Sequence, residues 1–149
     1  MPKYVLDTNV YIDGLRQPAE LLKLKDFLRT ALPHTYLNAV VHHELLAGAR
    51  SPRQTELLEA DFILPFARRN RLVVPSAAAW REAGRLRGTH RLSASPALVN
   101  DLLLAVSSRE YGITVVSRDS DFRQIARLVP GLRVVQPYPT TSAAIGTGA

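Results

Sequence analysis

The sequence predicts an α/β fold in which helices cover both faces of a mainly parallel sheet. Five short apolar segments alternate with longer segments in which apolar residues recur at helical spacing. The short segments are continuously apolar rather than alternating, which is typical of parallel strands buried on both faces. The chain has 149 residues, of which 46% are hydrophobic and 21% charged. A chain of this size and composition is expected to form a single folded domain.

The first half of the chain is predicted to contain two strands, each followed by a helix. Residues 3–6 form a short, β-branched apolar run, as expected for a buried strand. Leucines then recur every three or four residues over 18–32, and a proline ends that helix. Residues 34–37 are the second predicted strand. Asn38 follows as the N-cap of a helix that continues into a small-residue segment.

The middle of the chain predicts an interrupted helix, a short strand and a further helix. Residues 52–70 have a helical pattern, but Pro65 lies inside it, so we expect a kink or two helices. The strand at 72–74 ends at a proline. Ser76 is then placed to cap the next helix.

The last third predicts one long helix and the final two strands. The pair Ser95 and Pro96 combines an N-cap with a proline in the first turn, and Gly112 is a suitable C-terminal stop. Residues 113–116 are the clearest strand of the chain, and residues 132–135 are the last one.

The composition excludes several classes of function and leaves one question open. The chain has no cysteine, which excludes a disulfide scaffold, a thiolate metal site and a cysteine nucleophile. Neither a signal peptide nor a membrane span is predicted, so we expect a soluble cytoplasmic protein. Basic residues outnumber acidic ones by 19 to 13, and all but three of the basic residues are arginine. This excess favours a nucleic-acid ligand, but arginine also serves as a solubility residue, and composition does not choose between the two.

Four acidic residues occupy positions that point to a metal site. Asp7 and Asp119 follow predicted strands, and the carboxyl ends of parallel strands form the ligand-binding edge of an open sheet. Glu44 and Asp101 lie within apolar helical segments, where an unpaired carboxylate is costly to desolvate. Taken singly, each has a simpler explanation as a helix cap, a turn residue or an ion-pair partner. Together they form a set of hard oxygen ligands, which favours Mg²⁺ or Mn²⁺ and the hydrolysis of a phosphate ester.

The order and spacing of four short motifs resemble those of the PIN-domain nucleases, and most of all the VapC-type toxins of bacterial toxin–antitoxin pairs. The motifs are Val-Leu-Asp-Thr-Asn-Val at residues 5–10, Glu-Leu-Leu-Ala-Gly-Ala at 44–49, Asn-Asp-Leu-Leu-Leu-Ala at 100–105 and Ser-Arg-Asp-Ser-Asp-Phe at 117–122. The resemblance covers residues 1–137 and implies a three-layer α/β/α sandwich around a five-stranded sheet. Residues 138–149 are left as a C-terminal tail, which we expect to be flexible.

The resemblance implies an acidic quartet that binds Mg²⁺ or Mn²⁺ and cleaves RNA. Supporting residues surround the quartet: a hydroxyl residue, a small polar residue that orients the carboxylates, and a second acid in the last motif. The implied quartet is Asp7, Glu44, Asp101 and Asp119, with Ser117, Asn9 and Asp121 in those supporting roles. The implied reaction is endonucleolytic hydrolysis in which water attacks phosphorus and the 3′-oxygen leaves. The implied partners are an RNA substrate, a second copy of the chain and a VapB-like antitoxin that inserts a peptide into the active-site groove.

Arginine side chains are candidates for contacts with RNA phosphates. They are Arg81, Arg85, Arg87 and Arg118. A solvated helix face is an equally good explanation of those that lie in the helix after Ser76. Asp13 is expected on a turn after Asp7, with its side chain facing solvent.

Two other functions are considered. A haloacid-dehalogenase-like phosphatase also begins with an aspartate after the first strand, but it needs a second aspartate two residues later, where this chain has Asn9. A PIN-like domain that binds nucleic acid or a partner without catalysis would be expected to lack one or more of the four acids, and here all four are present.

Overall fold

The structure, a computed structural model, describes residues 2–140. Residues 141–149 of the predicted tail lie outside the described residues. At the start of that tail, Tyr138 packs on Phe27, with ring centroids 5.4 Å apart. The domain boundary at residue 137 stays a prediction.

A five-stranded parallel sheet forms the centre of the described chain, as the sequence predicts. All four strand pairings are parallel, and the spatial order is β3-β2-β1-β4-β5. The strands are β1 (Tyr4–Leu6), β2 (Thr35–Asn38), β3 (Leu72–Val73), β4 (Thr114–Val116) and β5 (Val134–Val135). The chain builds the sheet outward from β1 in one direction and then returns to the other side with β4. The crevice between the carboxyl ends of β1 and β4 is therefore the topological switch point, where ligands bind in sheets of this kind.

Helices cover both faces of the sheet in a PIN-like α/β/α sandwich. They are α1 (Thr8–Arg16), α2 (Pro18–Ala31), α3 (Ala39–Ala47), α4 (Pro52–Leu58), α5 (Leu64–Ala67), α6 (Ala77–Thr89), α7 (Pro96–Glu110) and α8 (Ser120–Ala126). The predicted interruption near Pro65 is confirmed, because a π-helical turn over Glu59–Ile63 separates α4 from α5. Proline lacks the amide hydrogen that a continuous helical ladder requires.

The turn predicted after Asp7 is wrong, because α1 begins directly at Thr8. Val10 and Tyr11 anchor one face of this helix in the core. Gly14 allows α1 to approach α2 closely, since a Cβ atom there would lie 2.9 Å from the Leu24 Cδ2 atom. Glycine often indicates the end of a helix, but Gly14 lies within α1 at the point where α1 contacts α2.

Helix α7 is the most buried helix of the described chain. Its second half, from Leu102 to Ser108, is buried without interruption. Each fully buried leucine of this segment stabilises the fold by about 1.5–3 kcal/mol. Asn38 Nδ2 donates to Ser107 Oγ at 2.9 Å and ties the end of β2 to this helix. Asp101 directly precedes this buried segment in the same helix. The packing of the segment in the core therefore fixes where the Asp101 backbone lies.

Candidate active site

Asp7 is a buried carboxylate at the end of β1, only 4% exposed. Its Oδ1 atom accepts a hydrogen bond from the Thr8 amide at 2.7 Å, and its Oδ2 atom accepts one from Ser117 Oγ at 2.9 Å. The Asp7 amide donates to the Val116 carbonyl at 3.0 Å, which extends the pairing of β1 and β4 up to the site. The orientation of this carboxylate is therefore fixed by both strands of the switch point.

Ser117 connects Asp7 to Asp119. The Ser117 hydroxyl donates to Asp7 and accepts a hydrogen bond from the Asp119 amide at 3.1 Å. The Asp119 carboxylate caps α8, because its Oδ1 atom accepts from the Asp121 amide at 2.9 Å. Its Oδ2 atom accepts from Asn9 Nδ2 at 3.4 Å. Asn9 and Ser117 thus contact the carboxylates directly, whereas Asp121 contributes its backbone amide.

Glu44 reaches the same edge of the sheet from α3. Its Oε1 atom accepts a hydrogen bond from Thr8 Oγ1 at 2.8 Å. Thr8 is a contact that the sequence analysis missed, although it lies directly between Asp7 and Asn9. Through its amide and its hydroxyl, Thr8 holds one carboxylate from β1 and one from α3.

Among the four predicted ligands, Asp101, in the second turn of α7, is the one whose carboxylate has no partner within residues 2–140. No group within residues 2–140 donates a hydrogen bond to its carboxylate or forms an ion pair with it, and the residue is half-buried. Burial, followed by repulsion from Asp7, Glu44, Asp119 and Asp121, raises the pKa of Asp101 to about 7.

The same physical causes act on Asp7. Burial raises the pKa of Asp7 to about 6, against the hydrogen bonds from Ser117 and Thr8, and repulsion from Glu44 and Asp119 adds to the rise. Mutual repulsion of this kind requires that the carboxylates lie close enough to act on one another. The other three predicted acids and Asp121 thus all lie within electrostatic range of Asp101.

The carboxylates do not form a closed cage in the described residues. Within residues 2–140, no three acidic or histidine side chains are spaced to hold one metal ion between them. Glu44 is turned toward Thr8 and Asp119 toward Asn9 and its own helix. The donor chemistry fits Mg²⁺ or Mn²⁺, since the oxygens are hard and a cation would relieve the repulsion at Asp7 and Asp101. The four-carboxylate metal site stays a prediction.

The candidate RNA-binding arginines fall into two groups. Arg81, Arg85 and Arg87 lie on α6, where Arg85 is 3.9 Å from Glu82 on the exposed side of the helix. Arg118 is instead bound to carboxylates of the protein, because it donates to Asp13 at 3.3 Å and to Glu20 at 3.0 Å. The expectation that Asp13 lies on a turn facing solvent is therefore wrong, since Asp13 belongs to α1 and pairs with Arg118.

An apolar groove opens beside Glu44. It has a volume of about 470 Å³ and lies among α1, α3, α4 and the π-helical turn. Ile12, Leu15, Leu45 and Leu57 contribute much of its apolar lining. Leu15 and Leu57 are each about half exposed, and both line the same groove. Exposed apolar residues usually occur singly on a protein surface, so two in one patch are unusual.

A family model described as "PIN domain" matches residues 4–128. The chain belongs to the PIN domain family. This membership agrees with the parallel sheet and with acids at the switch point, and it removes the haloacid-dehalogenase-like alternative. No match was found among curated proteins.

Solved structures share this PIN fold over nearly the whole chain. A chain of the DNA-bound VapBC complex from Salmonella typhimurium superposes with a TM-score of 0.69 at 20% identity, covering 91% of this chain and 98% of that one. A chain of FitAcB from Neisseria gonorrhoeae gives 0.63 at 23% identity, covering 92% and 99%. A toxin–antitoxin complex from Klebsiella pneumoniae gives 0.63 at 20% identity, covering 93% and 100%.

None of the helices within residues 2–140 of this PIN domain has the length and apolarity needed to cross a bilayer.

Proposed function

We propose that this PIN domain is a Mg²⁺- or Mn²⁺-dependent endoribonuclease that acts as a VapC-like toxin. The observation that carries the proposal is the unpartnered Asp101 carboxylate among four other acids at the carboxyl edge of the sheet. A protein gains nothing in stability by placing charges this way, since like charges raise one another's pKa at a cost. A divalent cation bound by Asp7 and Asp101 would offset that cost.

In this proposal Asp7 and Asp101 would hold the ion, and Glu44 and Asp119, at the same edge of the sheet, would complete its ligand set. A bound Mg²⁺ or Mn²⁺ supplies positive charge to the scissile phosphate and lowers the pKa of a water molecule. Thr8 and Ser117 keep the Asp7 carboxylate in one orientation, so that this one ligand needs little rearrangement on binding.

The charge distribution supports a polyanionic substrate. Without the four site acids, the chain has 9 acidic residues against 19 basic ones. An acidic metal pocket on a strongly basic body attracts a nucleic acid and binds its phosphate at the site of cleavage. We assign backbone-phosphate contacts to Arg81, Arg85 and Arg87, and we place the protein in the cytoplasm with its RNA.

Cleavage of a structured RNA by purified protein, with Mg²⁺ and with excess EDTA, tests the proposal. Wild type is expected to cleave only with the metal, and Asp101→Asn and Asp7→Asn are expected to lose at least a hundredfold in rate while remaining folded. Asp26→Asn is the matched control, because Asp26 is exposed on α2 and pairs with Arg29. Wild type expressed alone in bacteria is expected to arrest growth, and the Asp101→Asn variant is not.

Metal-independent cleavage, or cleavage retained in either site variant, would place the chemistry elsewhere. If wild type binds RNA but does not cleave it with any divalent metal, the non-catalytic PIN domain becomes the better description. That outcome is distinct from loss of RNA binding, which a filter-binding measurement reports separately.

We further propose that a separate VapB-like antitoxin chain occupies the apolar groove beside Glu44. The similarity to toxin–antitoxin complexes supports such a partner, and the groove adjoins the acidic site. Co-expression with the product of the neighbouring upstream reading frame is expected to yield a complex and to abolish cleavage. Leu57→Asp in the groove is expected to break this complex, whereas Leu22→Asp, on an exposed face of α2, is not.

A homodimer completes the proposal, as the resemblance to VapC-type toxins implies. Light scattering of the purified chain is expected to give twice the chain mass of 16.5 kDa. A mass of one chain at micromolar concentration would reject the dimer without affecting the nuclease.

A further inference from the structure

Arg118 connects the segment after β4 to both helices that follow β1. Its Nη1 atom donates to Asp13 Oδ2 on α1 at 3.3 Å, and its Nη2 atom donates to Glu20 Oε2 on α2 at 3.0 Å. The side chain of Glu20 is only 14% exposed, and its other oxygen accepts from Lys23 at 3.1 Å. Two cations and two anions thus form a small network at the junction of α1 and α2.

The position of Arg118 in the chain gives this network its importance. Arg118 lies between Ser117, which contacts the Asp7 carboxylate, and Asp119, which is itself a predicted ligand. Because residues 117–119 are consecutive, a fixed Arg118 side chain restrains the backbone that carries the Ser117 hydroxyl and the Asp119 carboxylate. Arg123 also holds this segment, because its Nη2 atom donates to the Ser117 carbonyl at 3.4 Å.

We propose that Arg118 is a positioning residue, whose clamp on Asp13 and Glu20 fixes the backbone of Ser117 and Asp119 for metal binding, and that it is not a contact for RNA phosphate. The inference rests on the proposed metal-dependent nuclease. Both terminal nitrogens of the guanidinium already donate to carboxylates, and the charges of Asp13 and Glu20 are balanced by Arg118 and Lys23 together. Releasing this arginine to bind a phosphate would leave two carboxylates without their shared partner.

The effect of the clamp has an upper limit. Both ion pairs are partly exposed, with side-chain exposures between 14% and 35%. Two such pairs change an equilibrium by about thirtyfold at most, and only part of this effect reaches the metal site. Arg118→Ala is therefore expected to weaken binding of Mn²⁺ by between about threefold and tenfold, and not to abolish it.

The experiment measures two affinities for each variant: Mn²⁺ by titration calorimetry, and a short RNA by filter binding in EDTA. Arg118→Ala is expected to weaken Mn²⁺ binding and to leave RNA binding within twofold. The combined variant Asp13→Asn with Glu20→Gln, which retains Arg118, is expected to weaken Mn²⁺ binding similarly. Adding Arg118→Ala to that variant should cause no further loss, because the three side chains act as one unit. Arg127→Ala, an exposed arginine at the end of α8, is the control.

A loss of RNA affinity in Arg118→Ala with unchanged Mn²⁺ affinity would overturn the inference and make Arg118 a phosphate contact. Unchanged Mn²⁺ affinity in the Asp13 and Glu20 variant would also overturn it, even if Arg118→Ala fails to fold. Failure of wild type to bind Mn²⁺ at all is a different result, because it refutes the proposed metal site itself.

Discussion

Replacing Asp101 by asparagine is expected to stabilise the metal-free protein, which is the opposite of the usual effect of a mutation at a structured site. The pKa of Asp101 is raised from 3.8 to about 7. Because the folded state holds this proton more tightly than the unfolded state, the free energy of unfolding falls as the pH rises from about 4 to about 7. Above that range wild type carries the full cost of the buried charge, and the asparagine variant carries none of it.

The magnitude follows from the shift and from the exposure of the group. About three pKa units correspond to about 4 kcal/mol for a fully buried group. Asp101 is only half-buried, and solvent screening reduces this figure to about 2 kcal/mol. For a chain of this length the variant is expected to melt a few degrees higher than wild type at pH 8 without metal. At pH 4 the difference should vanish.

Thermal unfolding followed by circular dichroism in EDTA, at pH 4 and at pH 8, measures the effect. Mn²⁺ at a hundred times its dissociation constant stabilises the folded wild type by about 2.7 kcal/mol, so adding it should reverse the order of the two proteins. The control Asp26→Asn should change stability by less than about 0.5 kcal/mol under all conditions. An asparagine variant that is less stable than wild type at pH 8 in EDTA would refute the reasoning.

Three further perturbations follow from the same geometry. Ser117→Ala removes the hydroxyl that bonds Asp7 and is expected to cost about 1–3 kcal/mol in urea unfolding and to slow cleavage, whereas unchanged stability would deny its connecting role. Gly14→Ala places a methyl group 2.9 Å from the Cδ2 atom of the fully buried Leu24; overpacking of about 1–3 kcal/mol, less about 1 kcal/mol gained in helix propensity, leaves an expected net loss of up to about 2 kcal/mol, which a raised urea midpoint would contradict. At limiting Mg²⁺, the cleavage rate should rise from pH 5.5 to pH 8 because Asp7 and Asp101 must both ionise, and a flat profile would count against their role as ligands.

The strands, and the places of the four acids at strand ends and within apolar helices, could be predicted because their signals are local. A continuous apolar run followed by an aspartate, as at Asp7, identifies both the strand and its carboxyl end. Asp101 could be singled out because it lies within an apolar helical segment. An unpaired carboxylate is costly to desolvate there, so its presence indicates a function. These features depend on a few adjacent residues, which the sequence displays directly.

Helix α1 and the Arg118 network were not predictable in the same way. Gly14 gives the signal of a helix break, and only the packing of α1 against α2 shows why a glycine lies there. Arg118 and Asp13 are 105 residues apart in the chain, and no local pattern pairs them. Thr8 was missed because a threonine after Asp7 gives no sign that it will also bind Glu44.

The position of a divalent ion is the most direct test of the proposed chemistry. Crystals grown with Mn²⁺ and measured at its absorption edge are expected to show an anomalous peak at the carboxyl edge of the sheet, within coordination distance of both Asp7 and Asp101. In such crystals Glu44 and Asp119 should be turned toward the peak. Ordered carboxylates with no peak between them at saturating Mn²⁺, or a peak bound only elsewhere on the molecule, would contradict the proposed metal site.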